Sequence, residues 1–228
     1  MKLLIANWKS HKNSQEVLDW LESFKKEEGR IKNKNNKIII APPMSLVGVV
    51  DWFSREHFDN SVREKINLGI QDISPYPMGK YTGAISIKNL EGLDVKYAIV
   101  GHSERRRYFH ETHNDVANKV AQCIDAGITP VVCVDDEYVS SQAAAIKQEH
   151  LEKCIVAYEE LSAIGSGKNE PIEHVQEVFS EIKKYFGETK LIYGGSVNAS
   201  NVQDYLEICD GVLVGSASLK VEDFAAML

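Results

Sequence analysis

The chain carries three side chains of complementary chemistry that are far apart in sequence, and each lies within three residues of the end of a short apolar run. Lys9 supplies a fixed positive charge, His102 an imidazole and Glu159 a carboxylate. A carboxylate can remove a proton from a carbon beside a carbonyl group, while an imidazole N–H and an ammonium stabilise the enediolate that results. This combination indicates aldose–ketose isomerisation, a reaction that requires no redox cofactor.

Glycine-rich segments in three loops suit an anionic ligand. They are residues 165–167 (Gly-Ser-Gly), 194–196 (Gly-Gly-Ser) and 215–216 (Gly-Ser). Such segments leave backbone N–H groups accessible, and the N-terminus of a following helix favours negative charge. The expected ligand is therefore a phosphorylated small molecule.

Each of these residues also has an ordinary structural explanation. An isolated lysine such as Lys9 is usually solvated, and a carboxylate after a strand, such as Glu159, usually lies in a solvated loop. His102 by itself would more often cap a helix or satisfy a hydrogen bond in the core, and glycine pairs after strands are usually turns. Their joint occurrence at the ends of separate strands is harder to explain in this way and favours one site.

Eight short apolar runs are the elements that would position these residues. They span residues 2–6, 37–41, 66–70, 97–100, 129–134, 154–158, 190–193 and 211–214. None alternates strictly between apolar and polar residues, as expected of parallel strands covered on both faces. Eight strand–helix units in one chain match a closed (β/α)8 barrel, a single domain over residues 1–228, better than a doubly wound open sheet, which stays an alternative. In a barrel, functional residues lie at the C-terminal ends of the strands.

Helical periodicity separates the apolar runs. Ser14 is the expected N-cap of the first clear helix. A second spans residues 114–126 and ends at Gly127, a residue suited to the position after a helix. A third follows Pro171, which is favoured at the start of a helix.

Composition excludes several classes of protein. Hydrophobic residues make up 43% of the chain and charged residues 26%, which disfavours a disordered or membrane-spanning chain. The net charge of −7 disfavours nucleic acid as a partner, so an anionic substrate requires a local positive field. The first residues lack the features of a signal peptide, and we expect a cytoplasmic location.

The spacing of the cysteines and histidines does not indicate a metal site. The four cysteines are widely spaced and two lie in apolar runs, so we expect reduced thiols without disulfides. His110 and His113 stand three residues apart on a predicted helix, which suits a metal, but no third ligand accompanies them.

The candidate residues lie in motifs that closely resemble the triosephosphate isomerase family. The matching segments are ANWK at 6–9, IVGHSERRRYFHET at 99–112, AYEELSAIGSGK at 157–168, YGGSV at 193–197 and DGVLVGSASL at 210–219. The likeness covers nearly the whole chain, and the HSERR and YGGSV pieces are its most specific parts. It implies a (β/α)8 barrel that interconverts dihydroxyacetone phosphate and D-glyceraldehyde 3-phosphate in glycolysis and gluconeogenesis, without a cofactor.

The resemblance also implies roles for individual residues. Glu159 would be the proton-abstracting base and His102 the neutral electrophile, and this family is a standard example of that pairing under a water-excluding loop. Asn7 and Lys9 would contact substrate, and Glu104 would support Lys9.

Further roles concern the phosphate and the closing loop. The phosphate would be held by backbone groups of Gly165, Ser196, Gly215 and Ser216. Ile164 and Leu213 would form the apolar clamp that desolvates the glutamate when the loop closes.

The segment after the base departs from the family pattern. The glutamate is normally followed by proline, an aliphatic residue and usually tryptophan, whereas here Glu160, Leu161 and Ser162 follow. Proline fixes φ, so Glu160 is expected to make the hinge less pre-organised. If both carboxylates point inward, Glu160 raises the pKa of Glu159. We expect the chemistry to survive with altered loop closure.

The oligomer is expected to be a homodimer. Residues 72–86 resemble the segment that inserts into the neighbouring subunit, and Thr82 would reach the partner's site near Asn7. Ala84 stands where the family usually has glutamate, which leaves the strength of the dimer open. The stretch 135–153 is short and resembles that of tetrameric archaeal members, so a tetramer is a second option.

Two other functions stay open at this point. The chain could isomerise another small ketose phosphate, because loops rather than the barrel set the substrate. It could also be a weakly active relative kept as a binding protein, for which the altered segment after Glu159 is the best support. The retained Ile164, Ser196 and Leu213 favour the triose substrate.

Overall fold

A computed structural model of the chain contains a closed barrel of eight parallel strands, each paired with its neighbours in sequence, and the last strand pairs with the first. The structure describes residues 1–33, 35–160 and 171–228. The strands are β1 (Lys2–Asn7), β2 (Asn36–Ala41), β3 (Ile66–Ile70), β4 (Val95–Val100), β5 (Thr129–Val134), β6 (Ile155–Tyr158), β7 (Lys190–Tyr193) and β8 (Gly211–Val214). The predicted (β/α)8 barrel is confirmed, and the doubly wound alternative is wrong.

Two apolar layers explain why the strands are apolar without alternation. Successive side chains of a strand point to opposite faces. In β6, Ile155 and Ala157 point into the barrel, whereas Val156 and Tyr158 belong to the layer between barrel and helices. The inner layer consists of Leu3, Ile5, Ile39, Ala41, Ile99, Val131, Cys133, Ile155, Ala157, Ile192 and Leu213. Both faces of each strand are therefore buried.

Helices surround the barrel between successive strands, except that the fully described connection between β3 and β4 contains only a short 3-10 helix, Ile87–Leu90. In the described part of the chain they are α1 (Ser14–Lys25), α2 (Glu28–Asn33), α3 (Val47–His57), α4 (Asn60–Arg63), α5 (Ser103–Phe109), α6 (His113–Asp125), α7 (Val139–Ala145), α8 (Gln148–Leu151), α9 (Ile172–Phe186), α10 (Val202–Ile208) and α11 (Val221–Ala225). None of those helices is long and apolar enough to cross a membrane.

The N-cap of α1 corrects one prediction. Asn13, not Ser14, is the cap: its side chain accepts the N–H of Glu16 at 3.1 Å, and the Glu16 carboxylate accepts the N–H of Asn13 at 2.7 Å. This reciprocal capping box needs an acidic residue three positions after the cap, and Glu16 has that spacing from Asn13. Ser14 is the first helical residue.

The other two predicted helices have the expected ends. α6 runs to Asp125, and Gly127 follows with φ of 72°, in the left-handed region that glycine adopts without strain. α9 begins directly after Pro171 and buries a stripe of apolar side chains against the barrel.

The prediction that His110 and His113, the two histidines considered for a metal, lie on one helix is wrong. His110 ends α5 with φ of 55°, and His113 begins α6. Across the described residues, no group of three or more His, Cys, Asp or Glu side chains is placed to hold a metal ion.

A partly buried charge network lies beside the barrel and is formed by Asp72, Arg105, Glu111 and Lys119. Lys119 is 2% exposed, and its ammonium contacts both carboxylates of the network. Arg105 Nε lies 2.8 Å from each of the same two carboxylates. Burial raises the pKa of Asp72, and Lys119 partly opposes this shift. Each carboxylate of the network therefore contacts both Arg105 and Lys119.

Candidate active site

The predicted site residues meet in one cavity of about 310 Å³ at the C-terminal ends of the strands. Its lining includes Asn7, Lys9, His102, Glu159, Ser196, Leu213, Gly215 and Ser216. These residues come from β1, β4, β6, β7, β8 and the loops that follow them, so residues distant in sequence share one pocket. Ile164 and Gly165, predicted for the clamp and the phosphate site, lie outside the described residues.

Glu159 continues the inward-facing positions of β6. It follows Ile155 and Ala157 at a spacing of two residues, and its N–H donates to the carbonyl of Val134 at 2.8 Å. Glu159 is 2% exposed. The strand geometry thus delivers a carboxylate from the barrel interior to the mouth.

Three donors hold that carboxylate at rest. Glu159 Oε1 lies 2.9 Å from His102 Nε2, and Oε2 accepts the N–H of Ser103 at 2.7 Å. The Ser103 hydroxyl donates to Oε1 at 3.3 Å. A buried carboxylate requires such partners because burial without them is costly. Glu159 is therefore poised beside His102 and held by the start of α5.

His102 caps a helix and also faces the cavity, so it combines the two roles considered from the sequence. It is the N-cap of α5, and its Nδ1 accepts the N–H of Glu104 at 3.2 Å. Because Nδ1 accepts, the proton of the neutral ring lies on Nε2, the nitrogen that faces Glu159. The imidazole thus presents an N–H donor to the cavity.

Lys9 is fixed by contacts at both ends. Its backbone N–H donates to Asn7 Oδ1 at 3.1 Å, and its carbonyl accepts from Gln71 Nε2 at 2.9 Å. Its ammonium donates to Glu104 Oε1 at 2.6 Å. Lys9 also has φ of 50°, which is uncommon for a residue with a side chain. These bonds keep the positive charge beside the cavity, and Glu104, itself outside the cavity lining, acts through Lys9.

Comparison with known proteins agrees with this geometry. A family model described as triosephosphate isomerase matches residues 2–228. Curated relatives named triosephosphate isomerase include one from Mesomycoplasma hyorhinis, 38% identical over 99% of this chain and 97% of its own length. The chain belongs to the triosephosphate isomerase family.

Two further relatives have the same name and similar coverage. The one from Mesomycoplasma hyopneumoniae strain 7448 is 35% identical over 100% of this chain and 98% of its own length. The one from Francisella tularensis subsp. mediasiatica is 34% identical over 98% of this chain and 94% of its own length. The match extends over the whole barrel rather than over isolated motifs.

Within this triosephosphate isomerase fold, the second carboxylate after the base points away from it. Glu160 is 5% exposed and accepts the hydroxyl of Tyr193 at 2.7 Å. Tyr193 belongs to the outer apolar layer, on the opposite face of the strands from Glu159. Glu160 was expected to raise the pKa of Glu159 only if both carboxylates point inward. Glu160 points outward, so this condition is not met.

The charges of the resting site are set by the close pair of His102 and Glu159. Burial by itself would raise the pKa of Glu159, but the His102 imidazole and the Ser103 N–H outweigh it, and this pKa lies below its ordinary value. Burial would lower the pKa of His102, yet the Glu159 carboxylate raises it above its ordinary value. Each shift therefore depends on the partner remaining in place.

Two contact residues were not predicted from the sequence. Ser103 binds the resting carboxylate, and Gln71 holds the Lys9 carbonyl together with that of Ala41, which Nε2 contacts at 2.8 Å. Ser103 directly follows His102 at the end of a strand, so the rule that functional residues follow barrel strands would have found it. Gln71 directly follows β3 and satisfies the same rule.

Proposed function

We propose that this chain interconverts dihydroxyacetone phosphate and D-glyceraldehyde 3-phosphate through an enediolate, as part of glycolysis and gluconeogenesis. Glu159 is the base, His102 the hydrogen-bond donor to the carbonyl oxygen, and Lys9 the positive charge that faces the anionic substrate. The observation that carries the proposal is the 2.9 Å contact between Glu159 Oε1 and His102 Nε2 inside a cavity that Lys9 also lines.

Phosphate binding is assigned to the loops after β7 and β8. Ser196, Gly215 and Ser216 line the same cavity as the three catalytic side chains. Barrels often bind phosphate at this position, where backbone N–H groups meet the start of short helices. Because His102 and Glu159 line the same cavity, we infer that a phosphate bound there places the reacting carbons of a triose next to them. Leu213 contributes an apolar wall to the cavity.

Proton transfer requires Glu159 to leave its resting bonds. The carboxylate gives up the Ser103 N–H and takes a proton from the carbon beside the substrate carbonyl, while the His102 Nε2–H donates to the carbonyl oxygen. The electron pair of the broken C–H bond forms the enediolate, whose negative charge faces Lys9. The hydroxyl proton of the enediolate then passes to the former carbonyl oxygen, and Glu159 returns the abstracted proton to the carbon that bears this oxygen, which completes the isomerisation.

Transfer of the substrate proton to Glu159 also keeps His102 neutral. Its raised pKa at rest is due to the Glu159 carboxylate, and a Glu159 that has accepted a proton no longer has this effect. Burial and the Glu104 N–H at Nδ1 both disfavour an imidazolium. The ring therefore acts as a neutral donor when the oxyanion develops.

A coupled isomerase assay on the purified protein tests this function. We expect turnover of both triose phosphates without added metal or cofactor. A folded protein that is inactive on them but active on another small ketose phosphate would instead support an isomerase of that sugar. Inactivity on all such sugars, with phosphate binding retained, would support a binding protein.

We further propose a homodimer formed through residues 72–86, with a cytoplasmic location. A cavity of about 780 Å³ adjoins the site and is lined by parts of this segment together with Asn7, Lys9 and Glu104. Tyr76, Met78 and Tyr81 in the segment are 48%, 69% and 45% exposed. Exposed apolar side chains beside a groove are typical of an interface. Light scattering should give the mass of two chains; four chains would support the tetramer, and one would contradict the proposal.

A further inference from the structure

The two carboxylates that follow β6 lie on opposite sides of the chain. Glu159 faces the cavity, whereas Glu160 turns to the outer layer, where it accepts the Tyr193 hydroxyl at 2.7 Å. Both are almost fully buried, at 2% and 5% exposure. A buried carboxylate is stable only with hydrogen-bond donors, so the Tyr193 contact opposes removal of Glu160 from its position.

Tyr193 is itself rigidly placed. It is fully buried, and its ring stacks on that of Tyr205 with centroids 4.0 Å apart and planes inclined by 15°. Burial and the bond to Glu160 both raise the pKa of Tyr193, so the phenol stays protonated and donates. Glu160 is therefore bonded to a fixed partner.

The same phenol supports the loop assigned to phosphate. A side chain built on Gly195 would place its Cβ 2.1 Å from Tyr193 Oη, so the hydroxyl lies directly against the backbone of residue 195. The N–H of Gly194 donates to the Tyr158 carbonyl at 2.8 Å, which continues the pairing of β6 with β7 up to this point. The Tyr193 hydroxyl thus lies between Glu160 and the backbone of the glycine-rich loop.

We propose that Glu160 and Tyr193 are positioning residues, a pair that holds the backbone after the base against the phosphate loop and thereby fixes the resting position of Glu159. Glu159 and Glu160 share one peptide bond, so a shift of the second displaces the first. Proton transfer is sensitive to displacements of about 1 Å in the base. The inference rests on the proposed isomerase function for its kinetic consequence only.

Three variants and one control test the pair by turnover. Tyr193→Phe removes a single oxygen, Glu160→Ala removes the acceptor, and Glu160→Gln keeps an acceptor oxygen. The control is Thr189→Val, because the buried Thr189 hydroxyl donates to the Cys154 carbonyl between the same two strands at the opposite end of the barrel. Each variant is compared with the wild type for kcat, KM and Tm.

We expect Tyr193→Phe and Glu160→Ala to lower kcat about tenfold, from the loss of a hydrogen bond to a charged group, with KM unchanged. Glu160→Gln should retain most of the turnover, and Thr189→Val should lower Tm without changing kcat. If Tyr193→Phe and Glu160→Ala lower Tm but leave kcat unchanged, as expected for Thr189→Val, the pair is merely structural and the proposal is wrong.

Crystal structures of the same proteins test the pair independently of turnover. The wild type and Thr189→Val should keep the Glu159 Oε2 contact to the Ser103 N–H, at 2.7 Å here. Tyr193→Phe and Glu160→Ala should lose it or show Glu159 in more than one position. Retention of that contact in both variants would overturn the positioning role, whereas an inactive wild type would contradict the isomerase function alone.

Discussion

Glu159→Gln separates the chemistry of the base from its place in the fold. The substitution keeps the size of the side chain and removes the charge and the proton-accepting oxygen. A positioned general base contributes about 10²- to 10⁴-fold to the rate, and we expect kcat to fall by about 10³-fold.

The structure also gives the effect of this substitution on stability. The carboxylate accepts from His102 Nε2 and from both the N–H and the hydroxyl of Ser103. An amide offers one acceptor oxygen and places its NH₂ group against a donor. We therefore expect a loss of about 1 to 3 kcal/mol, the cost of an unsatisfied buried donor.

The measurements are the coupled isomerase assay and urea unfolding of the same preparations. Glu159→Asp is the matched control, since it keeps the charge but shortens the side chain by one methylene. It should retain more turnover than the glutamine variant. A glutamine variant within tenfold of the wild-type kcat would refute the assignment of Glu159 as the base.

Three further predictions concern Lys9, the pKa of His102 and the charge network beside the barrel. Lys9→Met should lower kcat/KM by about 10²-fold or more, because a donor that faces the developing oxyanion is lost; a smaller effect would exclude Lys9 from that role. In Glu159→Gln, NMR titration should give a lower His102 pKa than in the wild type, because the carboxylate that raises it is gone; an unchanged or higher value would contradict the charge assignment. Lys119→Met should destabilise the protein by about 1.5 to 3 kcal/mol in urea unfolding, since Asp72 and Glu111 lose one of their two cationic partners and keep only Arg105. Lys88→Met, in an exposed pair, should leave the midpoint unchanged.

The barrel and most of the site could be predicted because each follows from local patterns. Continuous apolar runs identify buried parallel strands, and the rule that functional residues follow them selects Lys9, His102 and Glu159. The runs reproduce all eight strands to within two residues at their ends. What the runs cannot supply is the distance across the barrel between residues on non-adjacent strands.

The contacts that were not predicted depend on such distances or on a choice between neighbours. Ser103 holds Glu159 because the residues that follow β4 and β6, two strands separated only by β5, meet at the mouth, and sequence spacing does not show this contact. Asn13 and Ser14 are both good caps, and only the position of Glu16 decides between them. The direction of the Glu160 side chain could be predicted only by knowing that Glu159, which directly follows β6, faces the inside of the barrel.

The central claim is that one movable carboxylate reaches a substrate held by His102, Lys9 and the phosphate loops. The most direct test is a crystal structure with an enediolate analogue that carries a phosphate. The account predicts that Glu159 leaves the Ser103 N–H and contacts the analogue, whose oxygens meet His102 Nε2 and Lys9 Nζ and whose phosphate lies on Ser196 and residues 215–216. A bound analogue with Glu159 still on Ser103 and beyond hydrogen-bonding range of the ligand would contradict it.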